Sequence, residues 1–314
     1  MPAHPIAAVT RDLLIRQLAS WTPAALHRSR RATFVQAYDG AGPAAAAAAL
    51  RGLGEFSELL RGRRLTVLTL LAEPDGARLA DVQAELPAEV TAHLVPGGPA
   101  RLPVGLKAAG AAGAPVLAYL ELLTGPAPEP GTLAAVAKGR PAELLLNLGP
   151  LSRAGLDHRR VLTEAGFPLV TAVELIAGAG TDPALLVFAT GSGKRLDAFK
   201  DALWAVDGSA AGVRYRDPDD PEGPPLDISP SPPTEPLRRE LLARVRAAGR
   251  CTVTELRQHT AERTIYRAAD ATRVLTGLLA AGLVNREPAA GRLSGDVVIG
   301  AGEPADPALA APAD

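Results

Sequence analysis

The chain has 314 residues, of which 47% are hydrophobic, and a formal net charge of −1. This length suffices for about two domains with a sizeable core, and the near-zero charge excludes a global attraction to nucleic acid or to an anionic membrane. The single cysteine, Cys251, excludes an internal disulfide and a cysteine-based metal site, and the five histidines lack metal-ligand spacing. No metal site is predicted.

The N-terminal segment contains no apolar region followed by a cleavage site, and the sequence has no run of about 18 apolar residues. We therefore predict no signal peptide, no membrane contact and a cytoplasmic location. Residues 10–20 instead have the pattern of an amphipathic helix, with Leu13, Leu14 and Leu18 on its apolar face.

The segment 33–43, TFVQAYDGAGP, predicts a buried strand that ends in a tight glycine turn. The alanine run 44–49 follows and favours a helix. Strand, glycine turn and helix form the first unit of a nucleotide-binding α/β fold, so Asp39, Gly40 and Gly42 are candidate cofactor-binding residues. The alternative is an ordinary turn, because the spacing is not that of the dinucleotide-binding fingerprint.

The apolar run 65–71 predicts a parallel strand that is covered on both faces. Glu73 follows it, about thirty residues after the glycine turn, where such folds bind ribose hydroxyls. A carboxylate accepts hydrogen bonds from two vicinal hydroxyls. The alternative is that Glu73 caps a helix predicted over 76–85.

Further apolar runs alternate with helical patterns, and together they predict a doubly wound, largely parallel Rossmann-like sheet in a first domain, residues 1–207. Glu121 lies near the carboxyl end of the fourth strand, the edge at which open sheets bind ligands, and Asn147 lies near the end of the fifth. The remaining strands are predicted over 90–95, 116–123, 143–148, 166–176 and 184–190, and helices over 132–139 and 194–206.

Residues 208–236 are rich in Pro, Asp and Ser, which predicts a linker or a surface loop. Residues 237–300 predict a winged-helix domain. Its first helix is predicted over 237–248, its second begins at Thr252 and its third covers 267–283. Two strands are predicted to follow, over 284–287 and 297–299. Thr252 has the capping-box spacing to Glu255. The Ala- and Pro-rich tail, 301–314, is expected to be disordered.

The predicted winged-helix segment carries eleven arginines and six acidic residues between positions 236 and 300, a formal charge of +5. This asymmetry favours contact with DNA. Winged helices also serve as protein-docking modules, so a protein partner is an open alternative. The candidate contact residues for either partner are Arg263, Arg267, Arg273 and Arg292.

The order of these segments resembles the three-Cys-motif partner protein (TcmP) family. The resemblance covers most of the chain and is based on the segments LLIRQLASW, AYDGAGP, AFKDALWAVD and YRAADATRVLTGLLAAGLVNREP. It implies a methyltransferase-like Rossmann domain followed by a winged helix, and a three-Cys-motif protein as partner.

Two segments differ from the pattern of that family. The aspartate–glycine loop is shortened, and Glu121-Leu122-Leu123 stands where relatives tend to have Asp-Pro-Phe-Gly. Two functions are therefore open. The chain is an S-adenosylmethionine-dependent methyltransferase, or a catalytically inactive adaptor that binds DNA or a protein through its winged helix.

In the methyltransferase hypothesis, each candidate residue of the first domain has a role. The glycine turn frames the methionine portion of the cofactor and Glu73 holds its ribose. Glu121 is the one candidate for a polar group near the transferred methyl. The residues of the glycine turn are Asp39, Gly40 and Gly42.

Overall fold

The computed structural model describes residues 5–40, 42–71, 79–178, 180–207 and 212–302. The chain divides into two compact units, Met1–Pro232 and Pro233–Asp314. None of the described helices is both long and apolar enough to cross a lipid bilayer.

Unit 1 alternates strands and helices, as the sequence predicts. Its elements are α1 Pro5–Arg28, β1 Arg31–Tyr38, α2 Pro43–Leu53, α3 Ser57–Leu60, β2 Arg64–Leu71, α4 Ala80–Ala84, β3 Val90–Pro96, α5 Leu102–Ala108, β4 Val116–Leu122, α6 Pro130–Ala137, β5 Ala142–Leu148, α7 Pro150–Arg153, α8 His158–Ala165, β6 Leu169–Ile176, β7 Ala184–Thr190, α9 Gly193–Ala205, β8 Arg214–Arg216 and β9 Leu226–Asp227.

The nine strands form one sheet in the order β3-β2-β1-β4-β5-β7-β6-β8-β9. The first five strands in this order are parallel, while β7 is antiparallel to both β5 and β6. The doubly wound, Rossmann-like sheet is thus confirmed. The parallel direction holds for β1 to β6, whereas β7 and β8 run the opposite way.

The two faces of the sheet differ in polarity. One face is largely apolar and packs against leucines and valines of α5, α6 and α8, although the buried Thr33 and Glu174 also lie on it. Successive strand residues point to opposite faces, and the residues that alternate with the apolar ones place buried polar side chains on the other face. These side chains include Gln36, Glu121, Glu143 and Asn147.

The buried carboxylate of Glu143 joins two helices to this polar face. It accepts hydrogen bonds from Gln17 Nε2 of α1 and from Arg195 Nε of α9, each at 2.7 Å. A buried charge is tolerated when it is paired and hydrogen-bonded. Glu143 therefore fixes α1 and α9 against β5.

The structure differs from the predicted linker at 208–236. Its part from 212 to 232 belongs to unit 1, and β8 and β9 extend the sheet. Tyr215 is buried, packs edge-on against Trp204 with ring centroids 5.4 Å apart, and donates to Leu203 O at 3.0 Å. The polar composition of the segment conceals a few buried apolar side chains, and these are enough to order it.

Unit 2 contains three helices and a three-stranded antiparallel sheet in the order β10-β12-β11. The predicted helices and the capping box between Thr252 and Glu255 are confirmed. The strand β10 was not predicted. Ala301 was predicted to begin the disordered tail, but it belongs to β12. The rest of that tail, residues 303–314, lies outside the described ranges. The elements are α10 Glu235–Ala248, β10 Arg250–Thr252, α11 Val253–Arg263, α12 Ala268–Ala280, β11 Val284–Glu287 and β12 Val298–Ala301.

Replacing Arg195 by Met should lower the free energy of unfolding by about 3 kcal/mol, because the Glu143 carboxylate would stay buried without a counter-charge. Denaturant unfolding measures the loss. Arg160 is a matched control, because its contacts to Asp157 and Glu164 are at the surface. Its replacement by Met should change the same quantity by less than about 0.5 kcal/mol. Equal losses in the two variants would contradict this role of Glu143.

Candidate functional site

The candidate site lies at the carboxyl ends of β1, β4 and β5. Asp39 follows β1, and its carboxylate accepts hydrogen bonds from the backbone N–H groups of Leu123 and Thr124, both at 3.0 Å, and of Gly125. Its own N–H donates to Glu121 O at 3.0 Å. Asp39 therefore holds the loop after β4 against the end of β1.

The two candidate glycines have different surroundings. A Cβ atom at Gly42, the residue before α2, would lie 2.2 Å from Tyr38 Cγ, so this glycine makes room for the buried Tyr38 ring. A Cβ at Gly40 would have Thr124 Oγ1 at 3.9 Å as its nearest neighbour, so the Gly40 backbone is open. The N-cap residue of α2 is Gly42, which has no side chain to cap the helix, and Pro43 has no N–H. The N–H groups of Ala44 and Ala45 in the first turn can donate hydrogen bonds to an anion.

Glu73 lies outside the described residues, so its predicted contact with a ribose stays a prediction. The loop after β3 approaches the same edge of the sheet. Gly97 N donates to Leu71 O at 3.1 Å, at the end of β2. A Cβ at Gly98 would lie 4.0 Å from Tyr38 O, so this loop also reaches the end of β1.

Glu121 occupies the position the sequence predicts, near the end of β4, and is 8% exposed. Its Oε2 accepts hydrogen bonds from Tyr119 Oη at 2.7 Å and from Asn147 Nδ2 at 3.4 Å. Neither of these two partners carries a positive charge. Burial raises the pKa of Glu121, the two hydrogen bonds lower it, and the charge of Asp39 raises it; the net shift is upward.

A layer of neutral polar groups lies beside Glu121 on the same face of the sheet. Tyr38 Oη donates to Gln36 Oε1 at 3.0 Å, and the Tyr38 and Tyr119 rings meet edge to face with centroids 5.8 Å apart. Asn147 Oδ1 is buried without a hydrogen-bond partner. Sequence reasoning missed Tyr38 and Tyr119, although their two-residue spacing from Gln36 and Glu121 places each pair on one face.

The predicted contact arginines of unit 2 fall into two groups. Arg267 and Arg273 both bind the buried carboxylate of Asp270, at 3.0 and 2.8 Å, at the start of α12. Arg263, at the end of α11, and Arg292, in the loop between β11 and β12, are exposed. Contact of these residues with DNA or a partner stays a prediction.

Within the part of the chain that the structure describes, no three His, Cys, Asp or Glu residues lie in an arrangement that could hold a metal ion. Cys251 is a free, buried thiol. The candidate site is therefore built from the carboxylates of Asp39 and Glu121, the open glycine backbone and the tyrosine and asparagine side chains behind them.

No family model matches the chain and no curated protein matches it. Among solved structures it is similar to a rRNA methylase from Streptococcus thermophilus, at 15% identity over 60% of this chain and 98% of that one, with a TM-score of 0.33. It is similar to the trans-methyltransferase CalH in complex with SAH, at 17% identity over 54% of each chain, with a TM-score of 0.35.

A third similar structure is a SAM-dependent methyltransferase from Agrobacterium tumefaciens, at 13% identity over 56% of this chain and 62% of that one, with a TM-score of 0.36. This chain spans less than two thirds of the length of that enzyme and of CalH. At these TM-scores none of the three supplies a correspondence for individual residues.

Replacing Glu121 by Gln should raise the melting temperature at pH 7, because burial raises the pKa of this carboxyl and its ionisation therefore costs stability in the folded protein. The pKa of Glu121 is raised in the folded state. The cost of ionising it is therefore absent below the pKa of the unfolded chain, appears as the pH rises towards the folded pKa, and is complete above it.

The gain should therefore disappear as the pH falls below about 4. Melting curves of wild type and variant between pH 3.5 and pH 8 test this. The exposed Glu222, replaced by Gln, is the control and should give parallel curves. A Glu121→Gln variant that is less stable than the wild type at pH 7 would refute the conclusion that ionisation of Glu121 costs stability.

Proposed function

We propose that unit 1 is an S-adenosylmethionine-dependent methyltransferase with a divergent active site. One observation carries the proposal. Glu121 is a buried carboxylate at the carboxyl end of β4, and among the described residues it accepts side-chain hydrogen bonds from the neutral Tyr119 and Asn147. Groups whose pKa is shifted by burial occur often at functional sites, and ligands of open α/β sheets bind at this edge.

The strand order supports the same function. The order 3-2-1-4-5-7-6, with an antiparallel seventh strand, is typical of Rossmann-like methyltransferases. Fold does not imply function, so this order raises the expectation of methyl transfer without assigning it. The residues at the edge supply the rest of the argument.

The residues at the end of β1 fit the cofactor in part. The open backbone of Gly40 and the uncapped N-terminus of α2 offer a surface and N–H donors for the carboxylate of the methionine portion. Asp39 already uses both carboxylate oxygens on the loop after β4, so we assign it a positioning role. We retain Glu73 as the proposed ribose contact and Gly42 as the glycine that lets the turn form.

When bound, S-adenosylmethionine supplies an electrophilic methyl group. The part of Glu121 in the reaction is to orient the nucleophile and to accept its proton at Oε1, while Oε2 stays bonded to Tyr119 and Asn147. A raised pKa brings a carboxylate closer to the pH at which a general base is effective.

A second candidate function is the adaptor, which the bonding of Asp39 favours, since a carboxylate that is saturated by its own loop needs no cofactor. In this alternative unit 2 is the active part. We propose that unit 2 is a winged helix, because its elements follow the order helix, strand, helix, helix, strand, strand. Its partner is DNA or a three-Cys-motif protein, as the resemblance implies, and the contacts are Arg263, Arg267, Arg273 and Arg292.

Titration calorimetry with S-adenosylmethionine separates the two functions. The methyltransferase should bind the cofactor, and Gly40→Ala should weaken binding about tenfold, because the added methyl group would occupy the open backbone surface. Gly52→Ala is the matched control, since an added Cβ would meet no atom within 4 Å there and would lie within α2. The affinity of this variant should equal that of the wild type. No heat with millimolar cofactor would overturn the proposal in favour of the adaptor.

A further inference from the structure

The polar layer beside Glu121 contains acceptor oxygens that its own donors do not reach. Tyr119 Oη and Asn147 Nδ2 both donate to Glu121 Oε2, at 2.7 and 3.4 Å. Tyr38 Oη donates to Gln36 Oε1 at 3.0 Å. A tyrosine hydroxyl has one hydrogen to donate, so neither tyrosine has a donor left for another oxygen of the layer.

Two oxygens of the layer are left without a donor within the described ranges. Asn147 Oδ1 is buried without a hydrogen-bond partner, and the whole residue is 0% exposed. The side-chain hydrogen bonds to the Glu121 carboxylate are made at Oε2, which leaves Oε1 open. A buried acceptor without a donor is costly, and the few examples in native structures call for an explanation. A ligand that donates hydrogen bonds provides one.

The two oxygens belong to neighbouring side chains on one face of the sheet. Glu121 of β4 lies directly opposite Asn147 of β5 in the parallel pairing of these strands. Residues paired in this way point to the same face, and neighbouring strands are about 4.8 Å apart. Each residue is the last but one of its strand, so both lie at the carboxyl edge at which open sheets bind ligands.

The same edge carries negative charge without a counter-charge. Within the described ranges, the partners of the Asp39 carboxylate are three backbone N–H groups, and those of the Glu121 carboxylate are two neutral side chains. Burial raises the pKa of Glu121, and the charge of Asp39 raises it further. The two carboxylates are therefore close enough to repel each other, and a bound cation would offset this repulsion.

The number of donor hydrogens distinguishes the groups that a methyltransferase can methylate. A hydroxyl has one hydrogen and a thiol has one weak donor hydrogen, so neither serves two acceptors at once. A carbon nucleophile donates no ordinary hydrogen bond. An ammonium group has three N–H donors and a positive charge, so it can donate to both open oxygens and balance the charge of Glu121.

We propose that the methylated group is a primary amine, which binds as an ammonium ion with one N–H on Glu121 Oε1 and another on Asn147 Oδ1. Glu121 takes the first of these protons, and the bond to Asn147 orients the nitrogen. The nitrogen then bonds to the methyl group while the methyl–sulfur bond breaks, and the sulfur of S-adenosylhomocysteine keeps that electron pair. The product is a protonated secondary amine, and the proton on Glu121 is released to solvent.

The methylation of this amine rests on the proposed methyltransferase function, whereas ammonium binding does not, so binding is tested without cofactor. NMR follows the side-chain amide signals of Asn147 as methylammonium is added to about 100 mM, because so small an ion binds with millimolar affinity at best. Methylammonium should shift these signals saturably. Trimethylammonium has the same charge but one N–H, and should bind about tenfold more weakly. Methanol, which has one O–H and no charge, should give no saturable shift.

Variants separate the two acceptors. Asn147→Leu should abolish the preference for methylammonium over trimethylammonium, because the acceptor of the second N–H is gone. Comparing the two ions within this variant cancels any indirect effect on Glu121. Glu121→Gln should weaken binding of both ions about tenfold or more, because it removes the negative charge. Glu222→Gln, at an exposed position, is the control and should bind like the wild type. Melting curves establish that each variant is folded.

The titration of Glu121 gives a second readout, followed through its carboxyl carbon by NMR. A cation at Oε1 favours the ionised form, so saturating methylammonium should lower the pKa of Glu121. A tenfold preference for the ionised form corresponds to a shift of about one unit. A carboxylate with a purely structural role would titrate identically with and without the ion.

Three results would overturn the inference. These are no saturable shift with methylammonium, equal affinity of the two ions for the wild type, and a preference for methylammonium that survives in Asn147→Leu. Ammonium binding by a protein that does not bind S-adenosylmethionine would overturn the methyl transfer and keep the ammonium site. Binding of S-adenosylmethionine without ammonium binding would refute this inference alone.

Discussion

The carboxylate of Asp39 holds the carboxyl ends of β1 and β4 together in unit 1. Three consecutive backbone N–H groups, from Leu123 to Gly125, donate to it. Parallel strands share no tight turn, so the loops at their ends need other contacts to hold them together. The bonds of Asp39 join the end of β1 to the end of β4, and Ser152 and Gly149 extend the same contact to α7.

Three buried carboxylates of this sheet differ in their counter-charges, and the difference separates their roles. Glu143 is paired with one arginine and fixes two helices. Glu174 is paired with two arginines, Arg153 and Arg216. Glu121 receives hydrogen bonds from neutral groups, so its charge is costly in the folded protein. That cost is expected where a carboxylate acts on a ligand.

The sequence predicted the strands β1 to β7 of the sheet, but not β8 and β9, and not every strand direction or contact. Apolar runs such as 116–123 and 184–190 predicted β4 and β7, because strands covered on both faces are apolar throughout. An apolar run does not show whether a strand is parallel or antiparallel to its neighbours. The length of the connection does show it for β6 and β7, because residues 177–183 are too few for a parallel crossover. The role of Asp39 was not predictable, because its partners are backbone groups. Arg216 lies opposite Glu174 only through the pairing of β8 with β6.

Amide hydrogen exchange at Leu123, Thr124 and Gly125 tests the central claim most directly. If Asp39 holds this loop, the three amides exchange slowly in the wild type, and Asp39→Asn accelerates all three about tenfold or more, because the amide side chain turns one acceptor into a donor. Fast exchange in the wild type, or rates that do not change in Asp39→Asn, would contradict the account.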